Sequence, residues 1–543
     1  MWGDFFMLAK RTVAYFFGFM LILLLTILSV YSISNGTQLA ETADRQSTYW
    51  LTLAHSRGTI YDCNETPLVG EGKQYVAAVV PSVEDTAALN KALSKSEMAQ
   101  VYPMLTKGKP FALNLSADSI VAEGINIFSI DKRYSQDQIA PHVVGYLDSA
   151  GKGVFGIEKA FNKQLTENQG AISVLYKVDA LDRVLPGESK KIENTYNQKN
   201  SGVVLTLDKQ IQAIAEKAAQ QYLKTGAVVI TEIPDCQIRA MASVPSFSPT
   251  DIAAALKNPD SPFVNRALSA YNVGSVFKLV SAAAALESGI SPNTTYTCNG
   301  MINVSGAKFH CFNGESHGKV DMKEAIAQSC NAYFVNLMQK VPQEKFLNMA
   351  KSLGFGKETV LADGYSSDSG NLPTLSSLQI PRALANFSFG QGDLLATPLQ
   401  INGLINAIAS KGVYKEPYLV EGLVDANRNF TQKHTQQKGS QVMSETTATL
   451  LRSFMVASVD HGTSKKGKPA YGGAGAKTGT AQTGIVQNGN EVIQAWFAGY
   501  YPQENPKYVI TVLGENGQGG GDTCAPVFKQ ITDELAALEY GQN

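Results

Sequence analysis

The chain is poor in charge. Only 17% of its 543 residues are Asp, Glu, Lys or Arg, and 46 basic against 47 acidic residues leave a net charge of -1. A general nucleic-acid binder needs a basic surface, so no nucleic-acid partner is expected. Cysteine is scarce as well: six in the whole chain cannot make a disulfide scaffold. There is no internal repeat, no low-complexity tract and no second long apolar run. At 44% hydrophobic the composition excludes wholesale disorder.

What is there begins with residues 13–33, VAYFFGFMLILLLTILSVYSI, which carry no charge. At about 1.5 Å per residue the run spans about 30 Å, a bilayer core. Lys10 and Arg11 precede it and favour a cytoplasmic N-terminus. The run is longer than a signal-peptide core, and Gln38-Leu39-Ala40 is not a small-residue cleavage site, so an uncleaved anchor is expected. The reading is a cytoplasmic tail at 1–12, a single-pass membrane anchor at 13–33 and the bulk of the chain outside the cytoplasm.

Residues 34–200 form a mixed domain with strand-like runs such as 75–80. The polar stretch 190–201 (KKIENTYNQKNS) has no apolar periodicity and reads as its boundary. The pattern then sharpens over 201–543. Residues 203–207 are strand-like. Asp208 has the position of an N-cap for a helix through Tyr222, with Ile211, Ile214, Ala215 and Ala218 on one face. Runs at 227–233 and 238–243 read as a hairpin around Pro234-Asp235.

Three short motifs carry chemistry. Ser275-Val276-Phe277-Lys278 opens an apolar helical run. There the hydroxyl is near the positive end of a helix dipole, and the lysine three residues on shares its face. A buried amine of lowered pKa can take a serine's proton. Ser329-Cys330-Asn331 falls in an expected helix over 323–339. Lys477-Thr478-Gly479-Thr480 follows a glycine-rich stretch. Strand alternation puts Thr478 and Thr480 on one side, and Gly479 leaves room for a substrate backbone. Each motif alone could be chance. In this order, 54 residues apart from Ser275 to Ser329 and 148 from Ser329 to Lys477, they indicate a serine acyl-transfer site.

S-x-x-K, S-x-N and K-T-G in this order resemble the signature of penicillin-binding proteins and serine β-lactamases. The flanks narrow the likeness. LTLDKQIQAIAEKA at 205–218, Met241-Ala242-Ser243-Val244-Pro245, Asn265-Arg266-Ala267, Gly390-Gln391-Gly392, Thr397-Pro398-Leu399-Gln400 and Ala495-Trp496-Phe497-Ala498-Gly499 are similar to a class B transpeptidase domain. Arg57-Gly58-Thr59-Ile60-Tyr61-Asp62, Arg133-Tyr134 and Gly156-Ile157-Glu158 resemble that family's N-terminal pedestal, with Arg57 and Glu158 expected to pair. The nearest types are the elongation and sporulation members. Departures are Cys63 for a usual Arg, Val273 for a usual Pro and Phe389 for a small residue.

The resemblance implies a single transmembrane helix, a mixed α+β pedestal at 34–200 and an α/β penicillin-binding domain at 201–543, its central antiparallel sheet flanked by helices. It implies a D,D-transpeptidase cross-linking peptidoglycan stem peptides through a serine acyl-enzyme and acylated by β-lactams. Ser275 would be nucleophile, Lys278 general base, Ser329 proton relay with Lys477 tuning it, and Asn331 a donor-peptide contact. Thr478 and Thr480 would hold the terminal carboxylate, and the oxyanion would sit between the N–H groups of Ser275 and Thr480. Catalysis needs no cofactor. A SEDS-family glycosyltransferase would be the membrane partner. The competing readings are a β-lactam sensor, for which the segment before the anchor is short, and a catalytically silent scaffold, which the intact motifs oppose. Glu344–Asn348 matches the E-x-x-x-N of class A β-lactamases but lies in an amphipathic stretch with Phe346, Leu347 and Ala350 as core.

Cys298, Cys311, His317 and Cys330 fall within 33 residues, C-x12-C-x5-H-x12-C, and hold three of the six cysteines. Three thiolates and an imidazole make a closed tetrahedral set for Zn²⁺. The resemblance adds that some elongation-type relatives carry zinc beside S-x-N. A structural zinc is expected, with His310 a poorer substitute for His317. A Cys298–Cys311 disulfide is the rival, and it leaves Cys330 and His317 without a role.

Overall fold

The computed structural model describes residues 2–167, 169–196, 201–435, 438–487 and 489–541. The apolar run lies in one helix, Trp2–Gln46, of which Phe5–Gln38 is long and apolar enough to cross a membrane and is not buried by protein. The helix outruns 13–33 at both ends because no proline interrupts it. Polar side chains past the run also bond its own carbonyls: Asn35 Nδ2 donates to Tyr31 O at 3.1 Å and Thr42 Oγ1 to Gln38 O at 2.7 Å.

Contacts divide the chain into two compact units. One comprises Met1–Ser56, Lys73–Asp131 and Gln169–Gln198; the other Arg57–Gly72, Lys132–Asn168 and Lys199–Asn543. In the first, strand Thr48–His55 pairs with Ala171–Lys177, which pairs with Lys191–Asn194. That last strand lies in the stretch expected as a linker. Its four side chains are all exposed, so it has no apolar alternation to betray it. A second sheet is ordered Phe111–Leu115, Gly72–Val79, Ile125–Lys132. Its middle strand is buried on both faces: Ala77 and Val79 pack with Leu89, Met98 and Val101 of helices Val83–Ala92 and Lys95–Leu105, while Val76 and Ala78 join other clusters. Ser82 and Ser94 cap the two helices, Ser94 with Glu97 as a capping box.

The second unit is built on a five-stranded antiparallel sheet ordered Gln237–Val244, Gly226–Glu232, Tyr508–Glu515, Asn490–Tyr501, Gly475–Gln487. The expected hairpin forms its first two strands. The pleat sorts side chains between two cores. Phe497 joins Val228, Ile230 and the helices Lys209–Tyr222 and Ala525–Gly541 on one face. Trp496 and Ala498 join Phe277, Phe334, Leu404 and Met455 on the other. Asp208 caps its helix as expected, accepting from the N–H groups of Gln210 and Ile211.

The boundary expected at residue 200 does not follow these contacts. Segments 57–72 and 132–168 belong to the later unit for two reasons. Ile60-Tyr61 pairs in parallel with Val203-Val204, and Ile60, Leu68, Val143, Val144, Ile157 and Leu165 share one core with Val203, Leu205 and Leu207. Glu158, fully buried, accepts from Arg57 Nε and Arg133 Nε at 2.7 Å each and from Tyr134 Oη at 2.9 Å. The expected Arg57–Glu158 pair therefore forms, and it forms without Cys63. That thiol instead lies 4.0 Å from Asp208 Oδ2, and burial pushes it up to about 12.

Candidate active site

Ser275 sits in a single 3-10 turn, Gly274–Phe277, that leads into the buried helix Lys278–Glu287. The turn is clamped between two segments. Gly274 N donates to Gly390 O at 2.8 Å, and a Cβ on Gly274 would lie 2.8 Å from Thr480 O. Gly274 also has φ +65, so glycine is required twice over. Opposite it runs the edge strand Gly475–Gln487. A Cβ on Gly479 would stand 3.0 Å from both Val273 O and Val276 Cγ2. The room expected there for substrate is filled by the chain's own serine turn, so Gly479 lets the two elements close.

The helix expected over 323–339 is broken. Met322–Ala327 ends, and Asn331–Met338 begins anew. Ser329 N donates to Ile326 O and Cys330 N to Ala325 O, the crossed pair of bonds that closes a helix through a left-handed residue. That residue is Ser329 itself, at φ +58. Cys330 then caps the second helix, its sulfur accepting from Tyr333 N. Breaking the helix at this point turns the Ser329 hydroxyl toward two lysines.

Lys278 Nζ donates to Ser329 O and Asn331 Oδ1 at 2.6 Å each and lies 3.2 Å from Ser329 Oγ. Lys477 Nζ reaches Ser329 Oγ at 3.0 Å and Thr478 O at 3.0 Å. Both lysines are fully buried, and none of these partners is a carboxylate. Burial pushes Lys278 down to about 8. Lys477 falls well below the usual ammonium range, through burial first and then through the charge of Lys278. The arrangement can hold one hydroxyl between two amines, at least one of them ready to be neutral near physiological pH.

The motif residues thus converge from three separate segments. Asn331 spends both ends of its amide, Nδ2 donating to His310 O at 2.8 Å. The threonines bring in residues outside the motifs. Thr478 Oγ1 shares a 2.7 Å hydrogen bond with Thr463 Oγ1, and Thr480 Oγ1 accepts from Gly520 N at 3.4 Å. Neither Thr463 nor Gly520 lies in a motif, and nothing in their sequence neighbourhood marked them. Glu344 and Asn348 stand exposed on helix Gln343–Ser352, with Phe346, Leu347 and Ala350 turned into the core.

Beside the site, the ligand atoms of Cys298, Cys311, His317 and Cys330 lie within 4.8 Å of one another. Sγ–Sγ distances are 3.6 Å for Cys298–Cys311 and 3.9 Å for Cys311–Cys330, and Cys298 Sγ lies 3.5 Å from His317 Nδ1. Three thiols and an imidazole are donors of the kind that hold a metal ion. With Zn–S near 2.3 Å, tetrahedral ligands would stand about 3.8 Å apart, close to these three separations and inside the 4.8 Å limit of the set. The Cys311–Cys330 contact holds the Cys311 thiol low and pushes the Cys330 thiol up, as two sulfurs sharing one proton do. All six cysteines are free thiols here. His310 is exposed and contributes its carbonyl to Asn331 instead.

Comparison with known proteins agrees with this geometry. The family model described as penicillin binding protein transpeptidase domain matches residues 226–533. Stage V sporulation protein D of Bacillus subtilis is 28% identical over 93% of this chain and 81% of its own length. Peptidoglycan D,D-transpeptidase PbpA of Mycolicibacterium smegmatis is 32% identical over 63% of this chain and 74% of its own. The crystal structure of penicillin binding protein 3 from Mycobacterium tuberculosis, complexed with aztreonam, shares the fold with a TM-score of 0.67 at 24% identity, covering 91% of this chain and 97% of that one. The chain belongs to the penicillin-binding protein transpeptidase family, as a class B member.

Proposed function

We propose that this D,D-transpeptidase opens its acyl donor with Ser275. The hydroxyl attacks the carbonyl of the penultimate D-Ala of a peptidoglycan stem peptide, and neutral Lys278 takes its proton. The C–N bond to the last D-Ala breaks as Ser329 gives its proton to the leaving amine and regains one from the Lys278 ammonium, its hydroxyl fixed by Lys278 and Lys477. Backbone N–H groups of Ser275 and Thr480 stabilise the oxyanion. Asn331 keeps one amide hydrogen for the donor, and Thr478 and Thr480 hold its terminal carboxylate. An amine of a second stem then attacks the acyl carbon, the ester bond to Ser275 Oγ breaks, and the amine's proton returns to that oxygen, leaving the cross-link and a free serine. A β-lactam enters the same path and acylates Ser275.

The observation that carries this reading is the chain Lys278 Nζ, Ser329 Oγ, Lys477 Nζ, with links of 3.2 and 3.0 Å. A fluorescent penicillin tests it. The native chain labels covalently, and Ser275→Ala does not; label on the Ala variant overturns the assignment.

The apolar helix is a single-pass anchor, and Lys10 and Arg11 set its N-terminus in the cytoplasm. Glycan strands come from a separate SEDS-family membrane glycosyltransferase. Zn²⁺ held by Cys298, Cys311, His317 and Cys330 is structural: bound, it ties the loop 298–317 to the start of the Asn331 helix. Three donor pairs at 3.5–3.9 Å, in a set all within 4.8 Å, support it. Elemental analysis of protein purified without added metal should find about one zinc per chain, lost in Cys311→Ser. Metal-free protein with a 298–311 disulfide would overturn it.

A further inference from the structure

Thr463 lies 15 residues before Thr478, in no motif, yet it is held in place from three sides. Its backbone N–H donates to Ala327 O at 3.0 Å, the end of the helix that presents Ser329. Gly462 beside it has no room for a side chain, since a Cβ would stand 2.2 Å from that same carbonyl. Ser464 on its other side is buried, its hydroxyl 2.8 Å from Ser458 Oγ and 3.4 Å from Ala476 O of the edge strand. Thr463 itself is exposed, and its hydroxyl lies 2.7 Å from Thr478 Oγ1.

A hydroxyl has one proton to give. If Thr478 gives its proton to Thr463, it has none for a substrate anion. A carboxylate is the stronger acceptor, because a charged partner roughly doubles a hydrogen bond. Its arrival therefore fixes the direction of the pair: Thr463 O–H donates to Thr478 Oγ1, and Thr478 O–H donates to the carboxylate. Bonds in such a chain polarise one another.

We propose that Thr463 is a positioning residue for donor recognition, orienting the Thr478 hydroxyl toward the terminal carboxylate of the acyl donor. This rests on the reading of Thr478 as a carboxylate holder. Thr463 touches no reacting atom. It acts on the binding of the anion and leaves the acylation step to the serine and lysines.

The test uses the full chain in detergent and two N-acyl-D-alanyl thioester donors, one whose leaving group ends in a carboxylate and its methyl ester. Thr463→Val keeps size and backbone but removes the donor. It should raise KM for the carboxylate donor about five- to tenfold, the range of one lost hydrogen bond to a charge-binding group, with kcat within about twofold. The methyl ester should be unaffected, and Thr463→Ser should restore the native KM. Thr463→Ala provides a second variant should the valine lower the melting temperature. Thr478→Val is the control. If it discriminates between the donors and the Thr463 variants do not, the proposal falls while the reading of Thr478 stands. If neither discriminates, both fall. A drop in kcat for both donors alike would assign Thr463 a merely structural role and also overturn the proposal.

Discussion

Ser329 occupies a backbone conformation that costs a residue with a Cβ roughly 1 kcal/mol, and glycine is the usual occupant of this position in a helix-closing turn. The cost is local and offset by the site: the same turn delivers the hydroxyl to Lys278 and Lys477. Two substitutions separate the terms. Ser329→Ala and Ser329→Gly both remove the hydroxyl and both should abolish acylation. Only glycine also relieves the strain, so it should be more stable than alanine by about 1 kcal/mol, against their usual order in a helix. Equal denaturation midpoints would show that the turn is not strained. The neighbouring lysine yields a pH prediction. Burial lowers Lys278 to about 8. A base must be neutral to accept the serine's proton, so the active fraction grows as pH rises through that value. The second-order rate of acylation by a β-lactam should climb between about pH 7 and 9 and then level off. A rate that is flat or falling across that range would remove Lys278 from the role of base.

Elements whose function is packing were legible in the sequence, and elements bent by the site were not. Asp208 and the apolar face of Lys209–Tyr222 announced a capped helix, and alternation with a turn dipeptide announced the first hairpin of the sheet. The helix 323–339 misled because apolar residues at Ile326, Tyr333, Phe334 and Leu337 keep a helical rhythm through the break, and the break itself rests on a serine where glycine would have signalled it. The metal-type cluster was legible from residue chemistry, since few other roles gather three cysteines and a histidine; its spacing in space needed the fold. Gly479 was noticed but its reason was not, because its neighbours Val273 and Val276 come from about 200 residues earlier. The strand and the serine turn touch through that missing side chain. Gly479→Ala should push them apart, costing about 1–3 kcal/mol as overpacking does. The larger effect should be on chemistry: a sub-ångström shift between Ser275 and Thr480 should slow acylation at least about tenfold. Acylation kinetics beside a thermal melt separate the two, and a native acylation rate would show that the contact has slack.

The second compact unit is discontinuous in sequence, and this governs how the molecule can be cut. A truncation at residue 201 follows the motif pattern but removes 57–72 and 132–168. Ile60, Leu68, Val143, Val144, Ile157 and Leu165 are nearly or fully buried in the core that also holds Val203, Leu205 and Leu207. Each such side chain contributes about 1.5–3 kcal/mol on burial, so losing six removes on the order of 10 kcal/mol, as much as a whole domain's net stability. The chain 201–543 should therefore aggregate or expose apolar surface to a dye, although it carries every catalytic motif. A chain from residue 47 onward should fold and bind penicillin. A point change tests the same interdependence without deleting anything. Glu158 is fully buried between Arg57 and Arg133, whose side chains are only 7% and 17% exposed. Glu158→Ala leaves two buried guanidiniums without their counter-charge and should cost about 3–5 kcal/mol. Glu158→Gln keeps the shape and part of the hydrogen bonding, so it should cost less. In both variants the folded fraction should acylate at the native rate, because no atom of the network is among the hydrogen-bond partners of Ser329, Lys278 or Lys477. Denaturant unfolding read alongside penicillin binding decides the matter. A native unfolding midpoint for Glu158→Ala would show that the network adds nothing to the strand pairing and apolar core that hold the early segments in the unit, and a slowed acylation of folded protein would show that the network reaches the serine after all.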